Sequence, residues 1–355
     1  MILQLGQREI GHLQPVYLVF EAGPTHTGIE SAIKLAELTK KAGADAIKFQ
    51  IADHNRLITS RSVLFSYESL KNRKTGETET ITEPLIDIWS RRFMTWEEWS
   101  RVASYCQSIK LDFFATVFFE DDVEHLIKLG VNSIKIASQD ILHRDLIRYC
   151  AKFNLPLQLD TGNATLGEVE RAVDWSTYAG NHKIIINHCP SGYPARLESI
   201  NLRILQTLKQ TYPYPIAFSD HTPGWEMDIA ARALGADLIE KTITMDRMTR
   251  SCEHVMSIEP KDFSTFVESM RNLDTALGQA RRLITDEQRK KSLPGQRSAF
   301  AKKDLKAGHV LIRQDFDLLR PGGGLISPLN YDFFLGRKLS SDKKAGSMFV
   351  EGDIV

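Results

Sequence analysis

The chain has 355 residues, of which 42% are hydrophobic and 25% charged, and its 45 basic and 45 acidic residues cancel. This is the composition of a folded globular protein, and the balanced charge argues against a nucleic-acid or membrane-surface partner. No stretch approaches the roughly 20 apolar residues that a spanning helix needs. The four cysteines form no Cys-x-x-Cys pair, so we expect free thiols in a reducing, cytoplasmic environment.

Short apolar runs rich in β-forming residues alternate with longer amphipathic segments along most of the chain. The eight runs are Tyr17–Gly23, Ala46–Ile51, Asp112–Phe118, Ser133–Ser138, Pro156–Gly162, Lys183–Cys189, Pro215–His221 and Leu238–Thr244. The helix-like segments are Glu30–Ala42, Trp96–Ile109, Asp121–Leu129, Leu166–Tyr178, Trp225–Leu234 and Lys261–Leu277. Strand–helix alternation repeated eight times predicts an α/β fold of the closed (β/α)₈ TIM-barrel type.

Two parts of the chain do not follow this alternation. Residues 52–95 are too long for a plain strand–helix loop and carry an exposed turn at 73–77, so we interpret them as an insertion at the mouth of the barrel. After Gly278 the sequence becomes basic and polar and then rich in glycine and short β-like pieces. We therefore predict a barrel domain over residues 1–282, a linker over 283–296 and a small β-rich domain over 297–355.

Polar residues stand at the carboxyl ends of the predicted strands, where catalytic groups of such barrels gather. Lys48 and Lys135 are the most informative, because buried ammonium groups need anionic partners. Glu21 and Glu240 could supply these partners internally, which would make the lysines structural. Alternatively, the lysines hold an anionic ligand together with hydroxyl groups, which suits a small molecule that carries a phosphate and a carboxylate. The hydroxyl residues are Thr116, Ser138 and Ser219.

Two histidines, His188 and His221, also fall at strand ends, with carboxylates on neighbouring strands. A histidine in such a place is more often a satisfied core group than a metal ligand. The pattern therefore permits a metal without requiring one.

Several motifs resemble those of the N-acetylneuraminate (sialic acid) synthase family, in the same order along the chain. They are Glu21-Ala22-Gly23 with His26 and Gly28, Gly43–Gln50, Lys135–Ser138, His188-Cys189 with Tyr193-Pro194, Ser219–Thr222, and Glu253-His254 with Ser257 and Glu259-Pro260. The tail resembles the antifreeze-like (SAF, β-clip) domain of that family in Ala301–Gly308 and in Arg320–Gly324.

The resemblance implies a synthase of nonulosonic (sialic) acids, which condenses phosphoenolpyruvate with a hexosamine-type sugar aldehyde and releases phosphate. It implies that phosphoenolpyruvate is held by Lys48, Thr116, Lys135, Ser138, Ser191 and Ser219. The implied catalytic residues are Glu21, Lys48, Tyr193 and His221, with His221 also holding a divalent metal, Mn or Mg. The implied sugar contacts are Gln50, Tyr193, Glu253 and Arg320, with Arg320 reaching the site of the other subunit in a domain-swapped homodimer.

The chain departs from the family pattern at three places. Thr242 stands where the family has its second metal-ligating histidine, and a hydroxyl is a poor substitute for imidazole on a transition metal. Asp160 replaces a serine near the expected phosphoenolpyruvate site, where a carboxylate would repel an anion unless a metal or a lysine lies between them. Thr25 and Thr27 replace two asparagines of the opening motif.

These departures keep two alternatives open beside the nonulosonic acid synthase. One is a divergent synthase that uses phosphoenolpyruvate with another aldehyde acceptor. The other is a non-catalytic relative that binds a sugar or an anion. The sequence does not name the sugar, because loop residues determine that choice.

Overall fold

The structure, a computed structural model, describes residues 1–355 and divides into two compact units, Met1–Gly278 and Gln279–Val355. The first unit is a closed barrel of eight parallel strands. They are β3 (Tyr17–Glu21), β4 (Ala46–Gln50), β7 (Asp112–Thr116), β8 (Ser133–Ile136), β9 (Leu157–Asp160), β10 (Ile184–His188), β11 (Ile216–Asp220) and β12 (Leu238–Thr242). Each pairs with the next along the chain, and β12 closes the barrel against β3.

The TIM-barrel prediction is confirmed, with every barrel strand inside a predicted run. Barrel strands are covered by helices outside and filled by side chains inside, which is why both β3 and β7 are buried at every position. The strands are shorter than the runs. The run Ser133–Ser138, for example, becomes a strand only to Ile136, and Ser138 begins a 3₁₀ turn.

Helices follow the barrel strands. They are α1 (Ile29–Ala42), α4 (Trp96–Ser108), α5 (Glu120–Leu129), α6 (Arg144–Ala151), α7 (Leu166–Tyr178), α8 (Leu197–Ile200), α9 (Ile204–Thr211), α10 (Glu226–Ala233) and α11 (Pro260–Leu277). Six of them lie at the segments predicted from amphipathic patterns, whereas α6, α8 and α9 were not predicted. Capping boxes begin α4 at Thr95 and α7 at Thr165, which explains why these two starts were predictable to the residue. None of the helices combines the length and apolar character needed to cross a membrane.

A hairpin of β1 (Ile2–Leu5) and β2 (Arg8–Gly11) precedes the barrel and was not predicted. Its residues Leu3, Leu5 and Ile10 are buried in one cluster with Tyr17 and Phe114 of the barrel strands. The hairpin thus closes the amino-terminal end of the barrel. Its apolar residues are too few and too interspersed with polar ones to have shown this burial in advance.

The insertion at residues 52–95 folds into a long hairpin and two short helices. The elements are α2 (His54–Leu57), β5 (Leu64–Asn72), β6 (Glu77–Pro84) and α3 (Leu85–Ser90). The exposed turn expected at 73–77 connects β5 to β6, and Gly76 has a positive φ there.

The second unit has its own buried core of eight apolar side chains that include Ala299, Phe316 and Phe349, which agrees with the predicted small β-rich domain. Two strands, β13 (Ser298–Ala301) and β14 (Phe316–Leu319), pair antiparallel, and isolated bridges supply the remaining pairing. Within the segment predicted as a linker, α12 (Asp286–Ser292) forms a short exposed helix with a capping box at Thr285. That helix was not foreseen because its residues are uniformly polar and lack an apolar face.

Candidate active site

A cavity of about 410 Å³ opens at the carboxyl ends of the barrel strands. Side chains from the strand ends line its floor, and apolar side chains of the insertion form part of its wall. The floor residues are Glu21, Lys48, Gln50, Thr116, Lys135, Ser138, Asp160, His221 and Glu240. The insertion contributes Leu57, Ile58, Phe65, Leu85, Ile88, Trp89 and Arg92.

Lys135 is almost fully buried and has three partners on other strands. Its Nζ lies 2.7 Å from Glu240 Oε1, 2.9 Å from Asp160 Oδ2 and 2.9 Å from Ser219 Oγ. Ser219 in turn donates to Glu240 Oε1 at 2.8 Å. The three partners of the amine lie on three different strands, which holds it in place in the barrel mouth.

Lys48 extends the same cluster on the other side of Glu240. Its Nζ lies 2.9 Å from Glu240 Oε1 and forms an ion pair with Glu21. Thr116 Oγ1 is 3.5 Å away. We call Glu21, Lys48, Lys135, Asp160 and Glu240 the lysine–carboxylate cluster. The structure shows the internal pairing by Glu21 and Glu240 that the sequence offered as one alternative, and the other alternative, an anionic ligand held by the lysines, stays a prediction.

Asp160 does not lie unshielded on the cavity floor. Lys135 sits against one of its oxygens, and Asn187 Nδ2 donates to the other at 2.9 Å. The lysine therefore screens an incoming anion from the carboxylate, which is the condition under which Asp160 is compatible with anion binding.

Burial and pairing shift the pKa values of the cluster in opposite directions. Burial lowers the pKa of the Lys48 amine to about 8, and Lys135 adds to this while Glu240 opposes it. Burial also disfavours charged Lys135, but Asp160 and Glu240 outweigh burial and raise its pKa above the ordinary value. For Glu240 the attraction of both lysines outweighs burial and lowers the pKa to about 2. Of these three groups, Lys48 is the one whose charge changes near pH 8.

His221 lies near Tyr193 and Glu253, which also line the cavity. The rings of Tyr193 and His221 are 4.7 Å apart. His221 Nδ1 lies 3.0 Å from the carbonyl oxygen of Pro190, which can only accept, so this nitrogen carries the proton and Nε2 is left as an acceptor. Burial raises the pKa of Glu253, against the opposing effects of His221 and Arg92.

The surroundings of His221 do not complete a metal site. No group of three or more histidine, cysteine, aspartate or glutamate side chains is placed to hold an ion. Thr242 is buried on β12 and is absent from the cavity lining. The donor set therefore does not fit a resident divalent metal, and the metal prediction stays a prediction that depends on His221 alone.

Two other predicted residues of the first unit, Ser191 and Ser219, do not line the main cavity. Ser191 lines an adjoining pocket of about 280 Å³ and donates to the Gly162 carbonyl and to Asn163 Oδ1. Ser219 lies beneath the cavity, where it bridges Lys135 and Glu240. Arg320 is an exposed residue of the second unit. The roles assigned to these residues remain predictions.

The sequence reasoning missed Arg92 and Trp89, both from the insertion. Arg92 is 8% exposed and lines the cavity, and its guanidinium carbon stacks 3.7 Å from the centre of the Trp89 ring. The Trp89-Ser90-Arg91-Arg92 stretch resembles an ordinary solvated helix end. The only indication in the sequence was that this stretch lies near the end of the insertion predicted to cover the barrel mouth.

The four cysteines are free and buried. Cys189 and Cys252 lie on the cavity wall, where burial raises the pKa of each thiol above its ordinary value. Neither thiol is therefore poised as a thiolate nucleophile.

Comparison with known proteins identifies the family. Residues 35–282 match the NeuB family and residues 296–355 match the SAF domain. The N,N'-diacetyllegionaminic acid synthase of Legionella pneumophila is 31% identical over 350 residues, covering 97% of this chain and 96% of that protein. The pseudaminic acid synthase of Campylobacter jejuni is 29% identical over 341 residues, covering 95% and 96%.

Among solved structures, the N-acetylneuraminic acid synthetase of Leptospira borgpetersenii in complex with citrate superposes with a TM-score of 0.71 at 28% identity. The match covers 82% of this chain and 95% of that one. The family match spans most of the barrel, and the relatives named as acid synthases match nearly the whole chain. The chain therefore belongs to the NeuB family and contains a SAF domain over residues 296–355.

Proposed function

We propose that this enzyme condenses phosphoenolpyruvate with the open-chain aldehyde of a hexosamine-type sugar and releases inorganic phosphate. The observation that carries the proposal is the lysine–carboxylate cluster on the cavity floor. Two buried ammonium groups with the nearby hydroxyl groups of Thr116 and Ser138 suit a small ligand that carries both a phosphate and a carboxylate.

In the proposed reaction, C3 of phosphoenolpyruvate attacks the aldehyde carbon and forms the new carbon–carbon bond. Water adds to C2, the bond between C2 and the phosphate oxygen breaks, and phosphate leaves. The product is a 2-keto-3-deoxy acid, longer than the sugar by the three carbons of pyruvate. Lys48 and Lys135 hold the phosphoenolpyruvate charges throughout, and their rigid pairing lowers the cost of ordering the site.

Glu21 is the residue best placed to orient the reacting enol or to handle a proton. One of its oxygens accepts from Gly23 N at 2.6 Å, and the carboxylate also pairs with Lys48. Gln50, Tyr193 and Glu253 then contact the sugar. A neutral, proton-bearing Tyr193 is available to donate to the aldehyde oxygen, because burial raises its pKa above the ordinary value.

The decisive experiment is phosphate release from phosphoenolpyruvate with a panel of N-acylated hexosamines, followed by mass spectrometry of the product. We expect one phosphate per molecule of keto acid. Release without a sugar, or no release with any sugar, would contradict the proposal.

A second candidate function is favoured by Thr242 and by the incomplete donor set around His221. A relative that has lost a catalytic metal would retain the pocket and bind phosphoenolpyruvate or the sugar without turnover. The same assay separates the two functions, since such a protein would show binding by calorimetry without phosphate release.

We further propose that the enzyme works as a domain-swapped homodimer in which Arg320 of one subunit contacts the sugar in the other. Support comes from the match of residues 296–355 to the SAF domain and from the exposure of Arg320 in the single chain. A guanidinium offers planar, multi-point hydrogen bonds that suit the acyl or hydroxyl groups of a sugar.

A further inference from the structure

We propose that Arg92 forms an anion-binding subsite that selects acceptor sugars carrying a carboxylate or a phosphate group. Identification of the occupant as the acceptor rests on the proposed function. The subsite itself rests on the burial and the missing partner of this one side chain.

Arg92 differs from every other buried cation of the first unit. The buried lysines of that unit are Lys48, Lys135 and Lys241, and each has at least one carboxylate oxygen within 3.3 Å. No carboxylate oxygen forms an ion pair with Arg92, and its buried Nε has no hydrogen-bond partner. The Glu253 carboxylate acts on the guanidinium only from beyond ion-pair distance. A desolvated cation without a paired anion is unfavourable, so an anion in the cavity would complete the site.

The Trp89 ring holds the Arg92 side chain in place but offers no acceptor for its N–H groups. The guanidinium stacks on Trp89, which contacts the face of the cation and leaves its N–H groups in the plane free to bond. A guanidinium presented in this way matches the two-oxygen geometry of a carboxylate or a phosphate.

The position of Arg92 favours the acceptor over phosphoenolpyruvate. Glu253, Cys252 and Tyr193 line the cavity with Arg92, and all three act electrostatically on its guanidinium. Tyr193 and Glu253 are the residues proposed to contact the sugar. Arg92 therefore lies beside the sugar end of the cavity, where a charge on the acceptor would meet it.

Calorimetry with three sugars that differ only at C6 tests the inference. The probes are N-acetylmannosamine, its 6-phosphate and the corresponding uronic acid, which present a hydroxyl, a phosphate and a carboxylate. We expect the wild-type protein to bind at least one anionic probe about tenfold or more tightly than the neutral one. The tighter of the two anionic probes tells which group the subsite takes.

The Arg92→Met variant keeps the aliphatic stem and removes the charge, so it should bind the three probes alike. Arg92→Gln is a second neutral variant with a polar head, for use if the methionine variant is unstable. Arg91→Met is the matched control, because Arg91 is the adjacent arginine, pairs with Glu83 and is not part of the cavity lining. It should keep the wild-type preference.

Equal affinity of the wild-type protein for the three probes would overturn the inference, as would an undiminished preference in both neutral variants. Weaker phosphoenolpyruvate binding in Arg92→Met with an unchanged acceptor preference would assign the guanidinium to phosphoenolpyruvate and would also overturn it. Because the readout is binding, a protein that discriminates by charge but releases no phosphate would contradict the proposed function and leave the subsite standing.

Discussion

The lysine–carboxylate cluster and the insertion at residues 52–95 border the same cavity, but they differ in how their cations are paired. On the floor, each amine is paired and fixed between side chains from different strands. On the wall, Arg92 is buried, its Nε has no hydrogen-bond partner, and no carboxylate forms an ion pair with it. Under the proposed function, the strands would supply a rigid site for phosphoenolpyruvate and the insertion would select the acceptor sugar.

The largest effect on stability is expected from removing the Lys135 amine, which pairs with two carboxylates of the lysine–carboxylate cluster. Lys135→Met removes the partner of Asp160, Glu240 and Ser219 at once and leaves two buried carboxylates without that charge. Removing one member of a buried ion pair costs about 3–5 kcal/mol of the free energy of unfolding. Urea denaturation measures this, and the double variant Lys135→Met with Asp160→Asn should recover part of the loss. A loss below about 1 kcal/mol would show that the cluster is not a stabilising unit.

Lys48→Met tests whether the lysine–carboxylate cluster binds phosphoenolpyruvate. Glu240 keeps its ion pair with Lys135 in this variant, so the cluster is disturbed less than in Lys135→Met. Loss of a charge-assisted hydrogen bond should weaken phosphoenolpyruvate binding by about 1.5–3 kcal/mol, measured by calorimetry. Lys34→Met, at an exposed lysine that pairs with Glu37, is the control. Unchanged phosphoenolpyruvate binding in Lys48→Met would assign this lysine a structural role.

The pH dependence of phosphoenolpyruvate binding is a second test of whether the Lys48 charge contributes to binding. Because burial lowers the pKa of Lys48 to about 8, its charge is present below that pH and is lost above it. Glu240, with a pKa of about 2, stays ionised over the whole range. The dissociation constant should therefore rise by up to about tenfold per pH unit above pH 8. The Lys48→Met protein should show no such rise, and a rise of the same size in that variant would assign the titration to another group.

Thr242→His tests whether adding a second histidine near His221 creates a metal site. The added imidazole should tighten manganese binding by about tenfold or more, measured by equilibrium dialysis. Thr242→Val, which supplies no donor atom, is the control. A wild-type protein that already holds a stoichiometric metal through dialysis against a chelator would contradict this assignment of the ligands.

The smallest expected signal comes from mixing two inactive chains, Arg320→Ala and Lys48→Met. If the site is shared between subunits, half of the dimers are mixed and each contains one site with both residues intact. Activity should then return to roughly a quarter of the wild-type level. No recovery after verified subunit exchange would count against a cross-subunit arginine, and a monomer in solution would rule it out.

The sequence alone determined the barrel and the floor of its cavity, because both depend on local pattern. Apolar runs at regular spacing specify the strands, and parallel strands of a closed barrel bring their carboxyl ends together whatever the loops do. Polar residues at those ends, such as Lys48, Lys135 and Asp160, could therefore be assigned to one site from their positions in the runs. The capping boxes at Thr95 and Thr165 fixed two helix starts for the same local reason.

Tertiary structure decided the features that depend on side chains distant in sequence. Lys135 pairs with Asp160 and shields the charge of that carboxylate. Ser219 donates to Glu240 beneath the cavity, and the hairpin that contains Leu3 and Leu5 closes the other end of the barrel. Arg92 is the sharpest case, because nothing in the adjacent residues distinguishes it from the exposed Arg91. Only the path of the insertion, which places Arg92 over Trp89 and against the cavity, determines which of two neighbouring arginines is desolvated.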